Sequence, residues 1–262
     1  MAEQQIRFDD GAAYERMMGK WSRLVGEIFL DWTASPPGLR YVDVGCGNGA
    51  FTELLIERCK PVEVQGIDPS EGQLAFARTR PGAHLAKFQH GDAMALPFDE
   101  NTFDVATMAL VIFFVPEPAK GVAEMVRVVK AGGLVAAYAW DVFGGGFPLE
   151  PYQAELQAMG ITPLRPPSVD ASRMEVLQRL WADAGMKEIE TRVIKVQRSF
   201  ANFDECWSTS MLTGTIAPIV AKMSADTIET LKARLRVRLP ADSAGRITYG
   251  AYANAIKGRV SK

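Results

Sequence analysis

A β-branched run that breaks into three glycines and then into a helical pattern, YVDVGCGNGA at residues 41–50, limits this chain to few folds. Glycine permits positive φ there and lets backbone N–H groups at the start of the next helix approach an anionic or polar ligand. The residues from 40 to about 140 carry the same rhythm onward. Strands are expected near Tyr41–Val44, Val62–Ile67, Leu85–Gln89, Phe103–Leu110 and Leu134–Trp140, with helical patterns between them. Such alternation gives a parallel sheet with helices on both faces, an α/β architecture.

The flanks have their own texture. Tyr14, Met17, Met18, Trp21, Leu24, Val25 and Ile28 recur at helical spacing, so an amphipathic helix precedes the first strand. Val122, Met125, Val126 and Val129 mark a helix that starts near Pro118 and is expected to end at Gly132 and Gly133. After Trp140 come the loop-forming GGGFP and PLRPPS. Ser172 and Glu175 have the spacing of a capping box, followed by Met174, Leu177, Trp181 and Ala184 on one side until Gly185. A strand near Ile189–Val196 and a final alternating stretch through Ile247, Tyr249, Ala251 and Ala253 bracket a helical insertion at about 202–239. Lys232, Arg234, Arg236 and Arg238 spread around a helix axis, which makes them a solvated face.

Composition narrows the partners. A formal charge of −2 in 262 residues gives no general attraction to a polyanion, so small molecules are expected and nucleic acid is not. Cys46, Cys59 and Cys206 are an odd set without a CxxC pair, which indicates neither a disulfide framework nor a zinc site and suits a reducing cytoplasm. The opening MAEQQIRFDD has no signal pattern, and the longest apolar run, Val105 to Val115, is too short to span a bilayer. His84 and His90 read as surface or strand-end histidines.

Three carboxylates carry the chemistry. GCGNGA alone also satisfies the dinucleotide pattern G-x-G-x-x-G/A. Asp43, two residues before Gly45, would repel a pyrophosphate but offsets the charge of a cationic amino-acid ligand, which favours S-adenosylmethionine. Asp68, 19 residues after Gly49, is placed for ribose hydroxyls. Asp92, in GDAM at the end of the third strand, is placed for an adenine amino group. None of the tyrosines has lysine four residues on, which argues against a short-chain dehydrogenase.

With these on the page, VDVGCGNGAFT, GIDPS, GDAMALPF, FDVATMAL and the VVKAGG turn resemble the ordered motifs of class I, Rossmann-like methyltransferases, close to the ubiquinone/menaquinone-type and "type 11" small-molecule group. The resemblance covers about residues 37–140, and YERMMGKWSR resembles the helix that closes over the cofactor. It implies a seven-stranded, mostly parallel sheet whose last strand is antiparallel and inserts beside the fifth. It implies S-adenosylmethionine contacts at Asp43, Gly45, Cys46, Gly47, Gly49, Asp68, Pro69, Asp92, Ala93 and Met94, and at Met108 through its backbone. Two positions depart from the family pattern: Ala131 stands where proline is usual, and Ile112, Phe113 and Phe114 replace a familiar histidine.

The chain is accordingly read as one methyltransferase domain over residues 1–262, with a cap helix at 1–36, a cofactor core at 37–140 and a substrate-side half at 141–262. The expected activity is metal-independent methyl transfer to a small-molecule acceptor, driven mainly by proximity and orientation. Tyr14, Trp21, Trp140, Trp207 and Met211 are the expected substrate residues, and Asp141 is the candidate base if one is used. Two alternatives stay open at this point: an NAD(P)-dependent oxidoreductase and a non-catalytic S-adenosylmethionine-binding module. No membrane partner is expected, and the residues do not decide the oligomeric state.

Overall fold

The computed structural model describes residues 15–261, so Tyr14 lies outside the described residues. Seven strands, β1 (Arg40–Val44), β2 (Glu63–Asp68), β3 (Ala86–His90), β4 (Phe103–Ala109), β5 (Val129–Trp140), β6 (Lys187–Phe200) and β7 (Ile247–Arg259), form one sheet. The order is β3-β2-β1-β4-β5-β7-β6. The first five strands are mutually parallel, and β7 runs antiparallel to both of its neighbours, β5 and β6. The carboxyl ends of β1 to β6 therefore lie along one edge of the sheet, with the start of β7 among them. The five early strands fall within a residue or two of their expected places, except that β5 begins at Val129.

The reason is a glycine pair that serves the sheet. The preceding helix, α4 (Pro118–Val128), starts with its proline at the first turn as expected but stops before Val129. Asn101 and Thr102 donate to the carbonyls of Arg127 and Val128, which pulls the chain straight into β5. Gly132 has φ +77 and donates to Val260, and a Cβ on Gly133 would lie 2.7 Å from the Asp104 carbonyl. The pair thus lets an irregular strand entry pass close to β4.

Helices cover the sheet in two groups. Helix α1 (Lys20–Thr33), preceded by a π-helical turn at Glu15–Gly19, packs against α2 (Ala50–Cys59), β6 and β7. Helix α4 packs against β4, β5 and α6 (Met174–Asp183). Short helices α3 (Glu71–Ala77) and α5 (Glu150–Ala158) complete the connections.

At α6 the expected capping box does not form. Arg173 is the N-cap, no side chain caps the helix, and Ser172 belongs to a preceding 3-10 turn. Its hydroxyl is fully buried without a partner, while its carbonyl accepts from Asn254 Nδ2 at 2.9 Å. The tertiary contact from β7 fixes the turn and overrides the local S-x-x-E pattern.

The insertion folds as α7 (Phe203–Ser210), α8 (Ala217–Val220) and α9 (Ala225–Arg238). Asn202 caps α7 by accepting from Glu205 N at 2.9 Å, and Glu205 reaches back to Ala201 N at 2.6 Å. Cys206, Ile216, Leu231 and Leu235 have no exposed surface, so the insertion is part of the core. Nor is the basic run on α9 wholly solvated: Arg234 and Arg238 bind the two oxygens of buried Glu155 at 2.6 and 2.7 Å. Among the described residues no helix is long and apolar enough to cross a membrane.

Candidate functional site

The glycine turn is held by backbone geometry. Gly45, Gly47 and Gly49 have φ of +76, +51 and +77. Gly45 N and Cys46 N both donate to the Ile67 carbonyl, at 2.7 and 3.0 Å, which staples the turn to β2. A Cβ on Gly45 would meet Val111 at 2.5 Å, whereas one on Gly47 would meet nothing within 4 Å. The turn is therefore packed on one side and open above Gly47. Gly49 is the N-cap of α2.

Two of the three carboxylates converge on this turn. Asp68 accepts from Gly47 N at 2.9 Å through one oxygen and from Ser70 N at 2.8 Å through the other. An ionised carboxylate has about four acceptor positions, so each oxygen keeps capacity for a further donor. Asp43 is fully buried; Oδ2 accepts from Thr52 Oγ1 at 2.6 Å, and Oδ1 has no partner. Burial pushes its pKa up to about 7, and the negative charge of Asp68 adds to the shift. Burial also raises Asp68, against the opposing backbone bonds from Ser70 and Gly47.

The third loop is tied to the second. Gly91 N donates to the Asp68 carbonyl at 3.2 Å, and exposed Asp92 accepts from Met94 N at 2.8 Å, closing the turn that carries Ala93. Pro69 is exposed beside it. Met108 is fully buried in β4 opposite Ala137 of β5, and Leu110, at φ +62, donates to the Tyr138 carbonyl. The thiol of Cys46 is buried, and desolvation raises its pKa.

Residues missed in the sequence tie the N-terminal turn to this site. Glu15 accepts from Asn48 Nδ2 at 3.1 Å and pairs with Arg80, which also donates to the Asn48 carbonyl at 2.6 Å and pairs with Glu53 at 2.9 Å. The glycine turn, α2 and the segment before α1 are thereby locked together. The contacting groups are 65 residues apart in sequence, Glu15 to Arg80, and no local pattern announces them.

The expected substrate residues divide. Trp21 and Trp140 are buried, Trp21 against Tyr249 with ring centroids 5.3 Å apart. Trp207 and Met211 are half-buried; Trp207 lies 6.2 Å from the Tyr152 ring and beneath Lys232 at 5.3 Å. The Tyr152 hydroxyl donates to the Cys206 carbonyl at 3.2 Å. Asp141 emerges from β5 and accepts from Gly144 N at 2.7 Å, inside a turn also held by the Tyr252 hydroxyl on the Gly144 carbonyl. His84 and His90 are exposed. Among the described residues no three His, Cys, Asp or Glu side chains cluster as a metal site.

Known proteins match the same stretch of the chain. Residues 42–137 match the type 11 family described as a methyltransferase domain. A demethylmenaquinone methyltransferase of Renibacterium salmoninarum is 38% identical over 128 residues, 48% of this chain and 50% of that protein. One from Staphylococcus aureus is 40% identical over 100 residues, 37% of this chain and 42% of that protein. The chain thus spans about half the length of the curated relatives it matches. Among solved structures, phosphoethanolamine N-methyltransferase 2 of Haemonchus contortus, in complex with S-adenosyl-L-methionine, superposes with a TM-score of 0.59 at 18% identity, covering 97% of this chain and 58% of that one. At that identity the likeness is one of fold.

Proposed function

We propose, on the premise that residues 42–137 are a class I S-adenosylmethionine-dependent methyltransferase domain, that the chain is one enzyme moving the methyl group of that cofactor to a small-molecule acceptor. The observation that carries this reading is the buried, unpartnered Oδ1 of Asp43 beside a positive-φ glycine turn that Asp68 fastens to the next strand. A buried acceptor oxygen without a donor fits a ligand that brings N–H groups and positive charge. Gly45, Cys46, Gly47 and Gly49 hold the amino-acid end through backbone groups. Asp68 and Pro69 hold the ribose, and Asp92, Ala93 and Met94, with the backbone of Met108, hold the adenine.

When bound, the cofactor supplies a methyl group on a sulfonium, already activated for displacement. What remains for the protein is to align the acceptor and exclude water, and orientation alone is worth up to ~7–11 kcal/mol. Trp21, Trp140, Trp207, Met211 and, outside the described residues, Tyr14 are the side chains assigned to the acceptor. Asp141 is the carboxylate assigned to take up an acceptor proton where the acceptor needs to lose one. The reading is metal-independent and places the enzyme in the cytoplasm, with no nucleic-acid partner.

The relatives' names specify demethylmenaquinone, but the acceptor-side half, 141–261, lies outside the residues matched by the family, so the acceptor is not carried over with the fold. Incubation with methyl-tritiated S-adenosylmethionine and a panel of phenolic, amine and quinol acceptors tests the proposal. Label should reach an acceptor, and Trp207→Ala should lower that transfer without changing S-adenosylhomocysteine affinity. Tight cofactor binding with no labelled acceptor across the panel would favour a non-catalytic binding module.

A further inference from the structure

Strand β6 presents Ile194, Val196, Arg198 and Phe200 to the core in strict alternation, and one of these four buried positions is an arginine. A core-facing strand position calls for an apolar side chain, and a guanidinium there needs a counter-charge. Arg198 is 9% exposed, and among the described residues it has no ion-pair partner. Its guanidinium donates only to neutral backbone carbonyls, Met17 at 2.8 Å and Arg16 at 3.3 Å, both in the π-helical turn before α1. Glu205, the carboxylate that acts on it electrostatically, is already bound to Ala201 N. Desolvation lowers the Arg198 pKa, as expected for a charge without full compensation.

Two more donors are buried in the same cluster. Tyr249 is the register partner of Arg198 across β6 and β7, and its buried hydroxyl lies beside that of Ser210, which itself donates to the Cys206 carbonyl at 2.9 Å. Trp21, whose ring centroid is 5.3 Å from that of Tyr249, has a buried Nε1 with no acceptor. Phe200 stacks on Tyr249 at 5.8 Å and carries the Arg198 guanidinium over its own ring at 4.5 Å, so the cluster combines aromatic faces with an uncompensated charge. Arg198 and Phe200 close the carboxyl end of β6 and Tyr249 opens β7, on the sheet edge that bears the glycine turn. An indole N–H without an acceptor and a guanidinium without a counter-charge, set beside a phenol, match one chemistry: an anion beside an aromatic ring.

We propose that Arg198, with Trp21 and Tyr249, forms the anion-recognising part of the acceptor site, so that the methyl acceptor is an aromatic compound bearing a carboxylate. The inference rests on the reading that residues 141–261 hold the acceptor. In it, the carboxylate replaces the carbonyls of Arg16 and Met17 as the partner of Arg198, which couples acceptor binding to the turn ahead of α1.

Benzoate and its neutral isostere benzamide are the probes, titrated at fixed ionic strength into protein saturated with S-adenosylhomocysteine while the melting temperature is followed. Benzoate should give a saturable rise and benzamide should not. Arg198→Gln should weaken the benzoate response at least tenfold while S-adenosylhomocysteine affinity stays within twofold, and Arg198→Lys should restore part of it. Tyr249→Phe, which removes only the hydroxyl, gives a smaller loss and serves if the Arg198 variants do not fold. Equal responses to both probes, no benzoate response in the unaltered protein, or full benzoate affinity in Arg198→Gln would each overturn the proposal and leave Arg198 as a strut for the N-terminal turn. Failure to bind S-adenosylhomocysteine would contradict the methyltransferase reading instead, and the benzoate titration of the unloaded protein would still judge Arg198.

Discussion

The two halves of this molecule hold their buried polar groups by different means. Between residues 40 and 140 the candidate site lies at strand ends, where Asp68 and Asp92 are held by backbone N–H groups and Asp43 by the Thr52 hydroxyl. Between 141 and 261 it is made of side chains brought together over long separations, such as Arg198 with Met17 and Arg234 with Glu155, 181 and 79 residues apart. A ligand common to many proteins is served by the first kind of site, because parallel strand ends and glycine turns recur with the fold. Recognition that differs from one enzyme to another belongs to the second kind.

The largest expected effect falls on Asp43. In the folded chain it keeps its proton to about pH 7, whereas in the unfolded chain it loses it near 3.8. The folded state therefore binds the extra proton between these values, and stability falls as pH rises from about 4 to 7, by about 4 kcal/mol in the limit. Asp43→Asn should flatten that part of the pH profile, read by urea unfolding at several pH values. Cofactor binding near pH 6 should release a proton, seen as a buffer-dependent calorimetric enthalpy. A profile unchanged by the substitution would remove Asp43 from the titration.

Next comes Asp68. Asp68→Ala should weaken S-adenosylhomocysteine binding by about 2–3 kcal/mol, because bonds to a charged acceptor count ~1.5–3 kcal/mol each and both ribose and turn contacts go with it. Undiminished affinity in a folded variant would break the assignment of the first half.

A smaller effect, of the opposite kind, is expected at Glu155. Its side chain is 8% exposed and holds Arg234 and Arg238, themselves 43% and 40% exposed. Glu155→Ala should cost about 2 kcal/mol of stability, below the 3–5 typical of a fully buried pair because the freed arginines reach solvent. Cofactor affinity should stay within twofold. A matching loss of affinity would show that the halves are not separable in this way.

The same division decided how much the sequence disclosed. The five parallel strands and the places of Asp43, Asp68 and Asp92 near strand ends follow from the strand–glycine–helix pattern, and the antiparallel strand beside the fifth from the family resemblance, since those positions are defined by their neighbours in the chain. Gly132 and Gly133 misled because a glycine pair stops a helix in isolation, while here it fits an irregular strand against the Asp104 carbonyl. Ser172 misled because Asn254, 82 residues away, claims its turn. The insertion at about 202–239 read only as helical, yet Cys206, Leu231 and Leu235 belong to the core. Arg198 could have been found, since an arginine interrupts the alternation of Ile194, Val196 and Phe200; its partners could not.

The most direct measurement is a calorimetric titration of the purified chain with S-adenosylhomocysteine and, in parallel, with NAD. One S-adenosylhomocysteine should bind per chain, raising stability by RT ln(1 + [L]/Kd) and the melting temperature with it, and NAD should give neither heat nor shift. Binding of NAD with no response to S-adenosylhomocysteine would contradict the assignment of the glycine turn and its carboxylates to a methyl donor.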